Sequence, residues 1–147
     1  MKGKFLNLVI LALGLAISSV GLAGQFYCPQ KVVCTDANTC TIPNGWQINS
    51  VMNSIVPGSY YFSYAVGASK EGNVEQQYTG CNYKDKSGQN GFGIGMSGGS
   101  AVGKTLYAVA KPGTGWEAMG LNNIAYYSCS GGNPFACPLS VGPIPSK

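Results

Sequence analysis

Six cysteines, at positions 28, 34, 40, 81, 129 and 137, limit what this chain can fold into more than any other feature. All of them follow an N-terminal segment laid out like an export signal. Met1-Lys-Gly-Lys4 is basic, Phe5 to Val20 is apolar, and Gly21-Leu-Ala23 puts small residues where a signal peptidase cuts. Residues 1–23 are therefore expected to be a Sec-type signal peptide, and the protein to be secreted or periplasmic in a bacterium. The apolar run is short for a membrane span and has no basic stop-transfer flank, so no span is expected after cleavage. An even number of cysteines in an exported chain reads as a disulfide framework. The sequence has no Cys-x-x-Cys pair and no His, so the usual zinc ligand sets are missing.

Local spacing suggests how the cysteines pair. Cys34 and Cys40 flank Thr35-Asp-Ala-Asn-Thr39, and Cys129 and Cys137 flank Ser130-Gly-Gly-Asn-Pro-Phe-Ala136. Both intervening stretches are rich in turn-forming residues, so each pair is expected to close a short loop. Cys28 and Cys81 are left over and would tie the N-terminal strand to the middle of the chain. A staple of this kind is typically worth about 2–4 kcal/mol, which counts for much in a small core.

The middle of the chain reads as a hairpin. Ser59 to Ala68 is aromatic and β-branched, Val74 to Lys84 is its return, and the polar stretch Ser69-Lys-Glu-Gly-Asn73 is the turn. Phe26 to Thr35 reads as a strand that Pro29 pushes toward an edge, with Asn38 to Ile42 pairing back across the Cys34–Cys40 loop. Lys104 to Lys111, Trp116 to Met119 and Ile124 to Ser130 read as further strands. Gly88 to Gly103 is expected to be a loop with one short strand. Ile48, Val51, Met52, Ile55 and Val56 recur at helical spacing, with Asn44 as a cap and Pro57 as a stop, and predict a short helix. The asparagines and serines between them are poor helix formers. The expected fold is all-β, a small antiparallel sandwich or open barrel stapled by disulfides with one short helix. It forms a single domain over residues 24–140, with 141–147 as an extended tail.

Charge excludes some functions. Without Lys2 and Lys4 the formal charge of +4 falls to +2, and the remaining charges of both signs are interspersed along the chain. No clustered basic footprint for nucleic acid is present. Three textual motifs overlap in the glycine-dense stretch. Gly98 to Thr105 matches a phosphate loop, Gly93 to Gly98 a dinucleotide fingerprint, and Gly95 to Gly99 a nucleophile elbow. The first two need a helix to follow, the third needs a His base, and chance matches abound among so many glycines. A Ser100/Lys104 nucleophile–base pair and a Glu71/Glu75 acid–base pair are the remaining catalytic options. Both read more simply as solvated loop and turn residues. No catalytic residue, metal ligand or cofactor is therefore assigned.

The aromatics are the better lead. By strict alternation Tyr60, Phe62, Tyr64 and Val66 share one face, assigned to the core, and Tyr61, Ser63, Ala65 and Gly67 share the other. On the return strand Gln77, Thr79, Cys81 and Tyr83 share a face, which the Cys28–Cys81 bridge is expected to cover, partly shielding Tyr83. Tyr61 is thus the expected anchor of a recognition surface that also draws on Tyr83 and Tyr127.

Cys28-Pro29, the aromatic strand Tyr60–Val66 and Cys81-Asn82-Tyr83 together resemble a family of small exported bacterial proteins of unknown function. Its members open with Cys-Pro and return through a Cys-x-Tyr strand. The resemblance spans Phe26 to Lys86; Cys34, Cys40, Cys129 and Cys137 have no counterpart in it. It implies a β fold and a Cys28–Cys81 pair, and no activity. The expected function is that of an exported protein acting by binding, or as a structural component, outside the cytoplasm, with a protein or glycan as partner. A small secreted hydrolase, or an inhibitor presenting the Cys129–Cys137 loop, is the alternative.

Overall fold

The computed structural model describes residues 25–69, 79–96, 104–121 and 124–143. They form nine strands: β1 (Lys31–Cys34), β2 (Trp46–Met52), β3 (Gly58–Ala68), β4 (Gly80–Lys84), β5 (Gly91–Met96), β6 (Lys104–Ala108), β7 (Trp116–Leu121), β8 (Ile124–Ser130) and β9 (Leu139–Pro143). All nine belong to one open sheet in the order β2-β5-β4-β3-β6-β9, with β1 and β8 also on β3 and β7 on β8. Strand β3 is the hub because it is long enough to serve two neighbours on each side. Its N-terminal half meets β1, its middle β4, and its C-terminal half β8. The sheet is mixed through a single parallel contact, Ala68 against Tyr107. The expected all-β, disulfide-stapled fold is the one observed.

Cross-strand pairing lays one continuous row of buried side chains along the inner face. It runs Trp116, Cys129, Ala65, Cys81, Ile94 and Ile48, across β7, β8, β3, β4, β5 and β2. All are buried except the half-buried Ile48 on the edge strand. Ala65 therefore sits between two half-cystines, and the small side chain leaves room for both. Cys81 reaches Cys28 and Cys129 reaches Cys137; Cys34 bridges Cys40. Two of the three disulfides are thus anchored on β4 and β8, on opposite sides of β3, and they bring the N-terminal segment and the Cys129–Cys137 loop onto the core.

Buried aromatics complete the interior, and the polar tips of Tyr60, Tyr83, Tyr107 and Trp116 find backbone partners, as buried Tyr and Trp require. The Tyr60 ring packs 4.8 Å from that of Phe92, and Phe92 stacks on Tyr83 at 5.8 Å. The Tyr60 hydroxyl donates to the Val56 carbonyl (2.9 Å) and accepts the Val56 N–H (2.8 Å). Tyr83 donates to the Pro29 carbonyl (2.8 Å), Trp116 Nε1 to that of Pro138 (2.8 Å), and Tyr107 to that of Pro143.

Two expectations need correction. Trp46 to Val56 is not a helix: Trp46–Met52 is strand β2, paired antiparallel with β5. A register shift between Ile48 and Ser50 inserts one extra residue, Asn49. Ile48 and Val51 then both pair with inward residues of β5, Ile94 and Phe92. A β-bulge turns a two-residue step into a three-residue one, and here that imitates helical spacing. Residues 141–143 are not a tail but the end of β9, hydrogen-bonded to β6. The glycine-dense stretch does contain the one short strand expected there, β5, which is buried and whose inward positions Phe92 and Ile94 alternate with Gly91, Gly93 and Gly95. Glycine is needed there because neighbouring side chains fold over the strand. A Cβ on Gly93 would lie 2.5 Å from Ser50 Oγ, 2.8 Å from Asn49 Oδ1 and 2.9 Å from Asn82 Oδ1.

Candidate functional site on the outer face of the sheet

A second bulge shapes the opposite face. Between Phe62 and Tyr64 the β3–β4 register shifts by one residue, at Ser63. Before it, Tyr61 pairs with Lys84 and points outward while Phe62 pairs with the core residue Tyr83. After it, Tyr64 pairs with the half-buried Asn82 and Ala65 with Cys81. The phase of the strand is reversed past Ser63, so Tyr61 and Tyr64 both face solvent, at 39% and 37% exposure. Tyr64 was expected in the core with Tyr60 and Phe62; strict alternation across an unseen bulge misplaced it, and Ala65 takes the core position instead.

Two outward rows result. The first runs Lys31, Tyr61, Lys84, Gly91 and Met52 across β1, β3, β4, β5 and β2. The second runs Ser130, Tyr64, Asn82, Gly93 and Ser50 across β8, β3, β4, β5 and β2. Each tyrosine therefore has a polar residue on both sides. The row over Gly93 brings together the side-chain oxygens of Asn49, Ser50 and Asn82. Beyond the Lys84 end lies the β4–β5 turn. There the Asp85 carboxylate accepts from Ser87 Oγ (2.7 Å) and Asn90 Nδ2 (2.8 Å). These hydrogen bonds, Ser87 first, hold the Asp85 carboxyl below its ordinary range.

The structure separates the three tyrosines expected to share a surface. Tyr61 lies on the outer face as expected. Tyr83 does not: it is 1% exposed, on the inner face between Phe62 and Phe92. Directly paired residues share a face, so Tyr83 sides with Phe62, not with Tyr61. Tyr127, on β8, is half-buried and packs against the core. Tyr64 is the surface residue that sequence reasoning missed, and no local signal in Tyr61-Phe-Ser-Tyr64 announces the bulge.

Burial shifts the Tyr83 phenol well above its ordinary value, because charging it would strand an anion among aromatic rings. A group with a raised folded-state pKa contributes stability that is complete below its unfolded value, about 10 for tyrosine, and is lost as pH rises beyond it. Denaturant midpoints measured through the alkaline range are expected to fall more steeply for the native sequence than for Tyr83→Phe. Parallel curves for the two would show that Tyr83 does not carry this dependence.

The catalytic options find no support in the described geometry. Lys104 and Thr105 open strand β6, where a phosphate loop needs a helix. The Thr105 hydroxyl is buried 3.3 Å from that of Thr79. Gly93, paired on both sides, and Gly95, paired with β2, lie inside β5 and not at a turn into a helix. Glu71, Glu75 and Ser100 lie outside the described residues, as does the expected signal peptide.

Elsewhere, the Cys129–Cys137 loop contains a 3-10 turn, Pro134–Ala136, capped by Asn133, whose side chain accepts from the Phe135 N–H (3.1 Å). Phe135 is 65% exposed and meets the half-open ring of Tyr27 at 5.6 Å.

Three disulfides fit an extracellular or periplasmic protein. Among the described residues no helix is long and apolar enough to cross a membrane. Comparisons with family models, with curated proteins and with solved structures found no match.

Proposed function

We propose that this is an exported binding protein, delivered by its N-terminal signal peptide, that holds a glycan on the outer face of its sheet and performs no catalysis. The observation that carries this reading is the pair of solvent-facing rings, Tyr61 and Tyr64, on consecutive outward rows of the hub strand. The core needs no ring on this face, yet the strand paired with four others leaves two tyrosines exposed there. A ring presents an apolar face to the C–H face of a sugar, and its hydroxyl can hydrogen-bond. The neighbours of the rings favour a glycan over a protein. A protein interface is depleted of charge at its centre, whereas Lys31, Lys84, Asn82 and Ser130 sit directly beside these rings. The resemblance through Cys28-Pro29 and Cys81-Asn82-Tyr83 belongs to this proposal, as a kinship among small exported bacterial proteins.

The test is retention of purified protein on dextran, chitin and polygalacturonate, comparing the native sequence with Tyr61→Ala/Tyr64→Ala. Native protein is expected to be retained by at least one, and the double variant to bind about tenfold or more weakly, as loss of a stacked contact implies. Absence of retention on all three, or undiminished retention of the variant, would contradict the reading.

One observation favours a second reading. Phe135, on a turn braced by a disulfide, a proline and an Asn133 cap, is a preorganised apolar knob. Rigid, exposed aromatics of this kind serve as anchors in a partner's pocket, as an inhibitor's loop would.

A further inference from the structure

The ligand class follows from what flanks Tyr61. Lys31 on β1 and Lys84 on β4 are its direct cross-strand partners, and all three side chains are exposed on one face. The two lysines are therefore two strand spacings apart, about 9.5 Å between backbones, with the ring midway. Like charges placed on both sides of one residue repel and gain nothing from the fold. The acidic residue next to Lys84 does not neutralise them, because the Asp85 carboxylate is engaged by Ser87 and Asn90. Among the described residues, neither lysine is held in an ion pair. The row is thus a cation, an aromatic plate and a second cation, in line and open to solvent.

We infer that the glycan is an acidic one, a polymer of carboxylated or sulfated sugars. One sugar ring lies on Tyr61 while acidic groups of its neighbours reach Lys31 and Lys84. This rests on the glycan reading above and narrows it. The aromatic plate between the lysines favours a polysaccharide over an acidic peptide, because it suits the apolar face of a sugar ring. The neutral second row, Tyr64 with Asn82 and Ser130, then meets hydroxyls of the same chain.

The experiment measures affinity for polygalacturonate, dextran and polyglutamate at low and high ionic strength. It uses native protein, Lys31→Gln/Lys84→Gln and Tyr61→Ala. All substituted positions are exposed, and matching denaturant midpoints check that each variant is folded. Polygalacturonate is expected to bind about tenfold or more tightly than dextran at low salt, with the advantage abolished by salt and by the double Lys variant. Tyr61→Ala is expected to weaken both polysaccharides. Equal binding of dextran and polygalacturonate, each sensitive to Tyr61, overturns the acidic ligand and leaves the glycan reading standing. Polyglutamate binding as tightly as polygalacturonate, indifferent to Tyr61→Ala, overturns the inference in favour of unspecific charge attraction. Binding to none of the three overturns both.

Discussion

Replacing Cys28 and Cys81 by alanine is expected to destabilise the protein by about 4 kcal/mol, roughly twice the loss from removing either other bridge. The ranking comes from loop closure. Cys28 and Cys81 are 53 residues apart, against 6 for Cys34–Cys40 and 8 for Cys129–Cys137. The entropy withheld from the unfolded chain grows with the logarithm of loop length, giving about 4, 2 and 2.5 kcal/mol in turn. Position reinforces the ranking. Cys81 stands beside Ala65 in the inner row and is fully buried, and its bridge holds down Pro29, the carbonyl partner of the Tyr83 hydroxyl. Cys40, by contrast, is half-buried at the periphery. Denaturant melts of the three double-alanine variants measure this directly. A Cys34–Cys40 variant that loses as much as the Cys28–Cys81 variant would contradict the assignment of the long bridge as the main staple.

Phe62→Ala is expected to cost about 3–5 kcal/mol as a truncation in the core, whereas Tyr61→Ala and Tyr64→Ala should each stay within about 0.5 kcal/mol. Phe62 is 5% exposed and sets its ring edge-on to Tyr83 at 6.2 Å. Tyr61 and Tyr64 stand on the other face. Tyr64 is the discriminating position: without the bulge at Ser63 it would be a core residue with a penalty like that of Phe62. Urea midpoints of the three variants decide this, and a large loss at Tyr64 would mean that the strand alternates without interruption.

How much of this was legible in the sequence depends on whether a local rule holds at each place. Strands β3 and β8 follow from aromatic and β-branched residues alone, and the short cysteine loops follow from the turn residues between them. Sequence fails where an extra residue enters a ladder. Nothing in Ile48-Asn49-Ser50 or Phe62-Ser63-Tyr64 marks a bulge, because a bulge is a property of two strands in register. The first therefore imitated a helix, and the second hid Tyr64. A short strand in the glycine-dense stretch was legible, but the reason for its glycines was not: Gly93 is required by Asn49, Ser50 and Asn82 on adjacent strands, which no window on residues 91–96 contains. The site depends on the same pairing: Lys31, Tyr61 and Lys84 are distant in sequence and meet only through the register of β1, β3 and β4.

The claim that a partner docks on the face carrying Tyr61 is tested most directly by mapping backbone amide NMR shifts while polygalacturonate is added to the isotope-labelled protein. The account predicts that the largest changes cluster at Lys31, Tyr61, Tyr64, Asn82 and Lys84, with Phe135 and Tyr27 unmoved. Changes centred on the Cys129–Cys137 turn, or none anywhere, would contradict it.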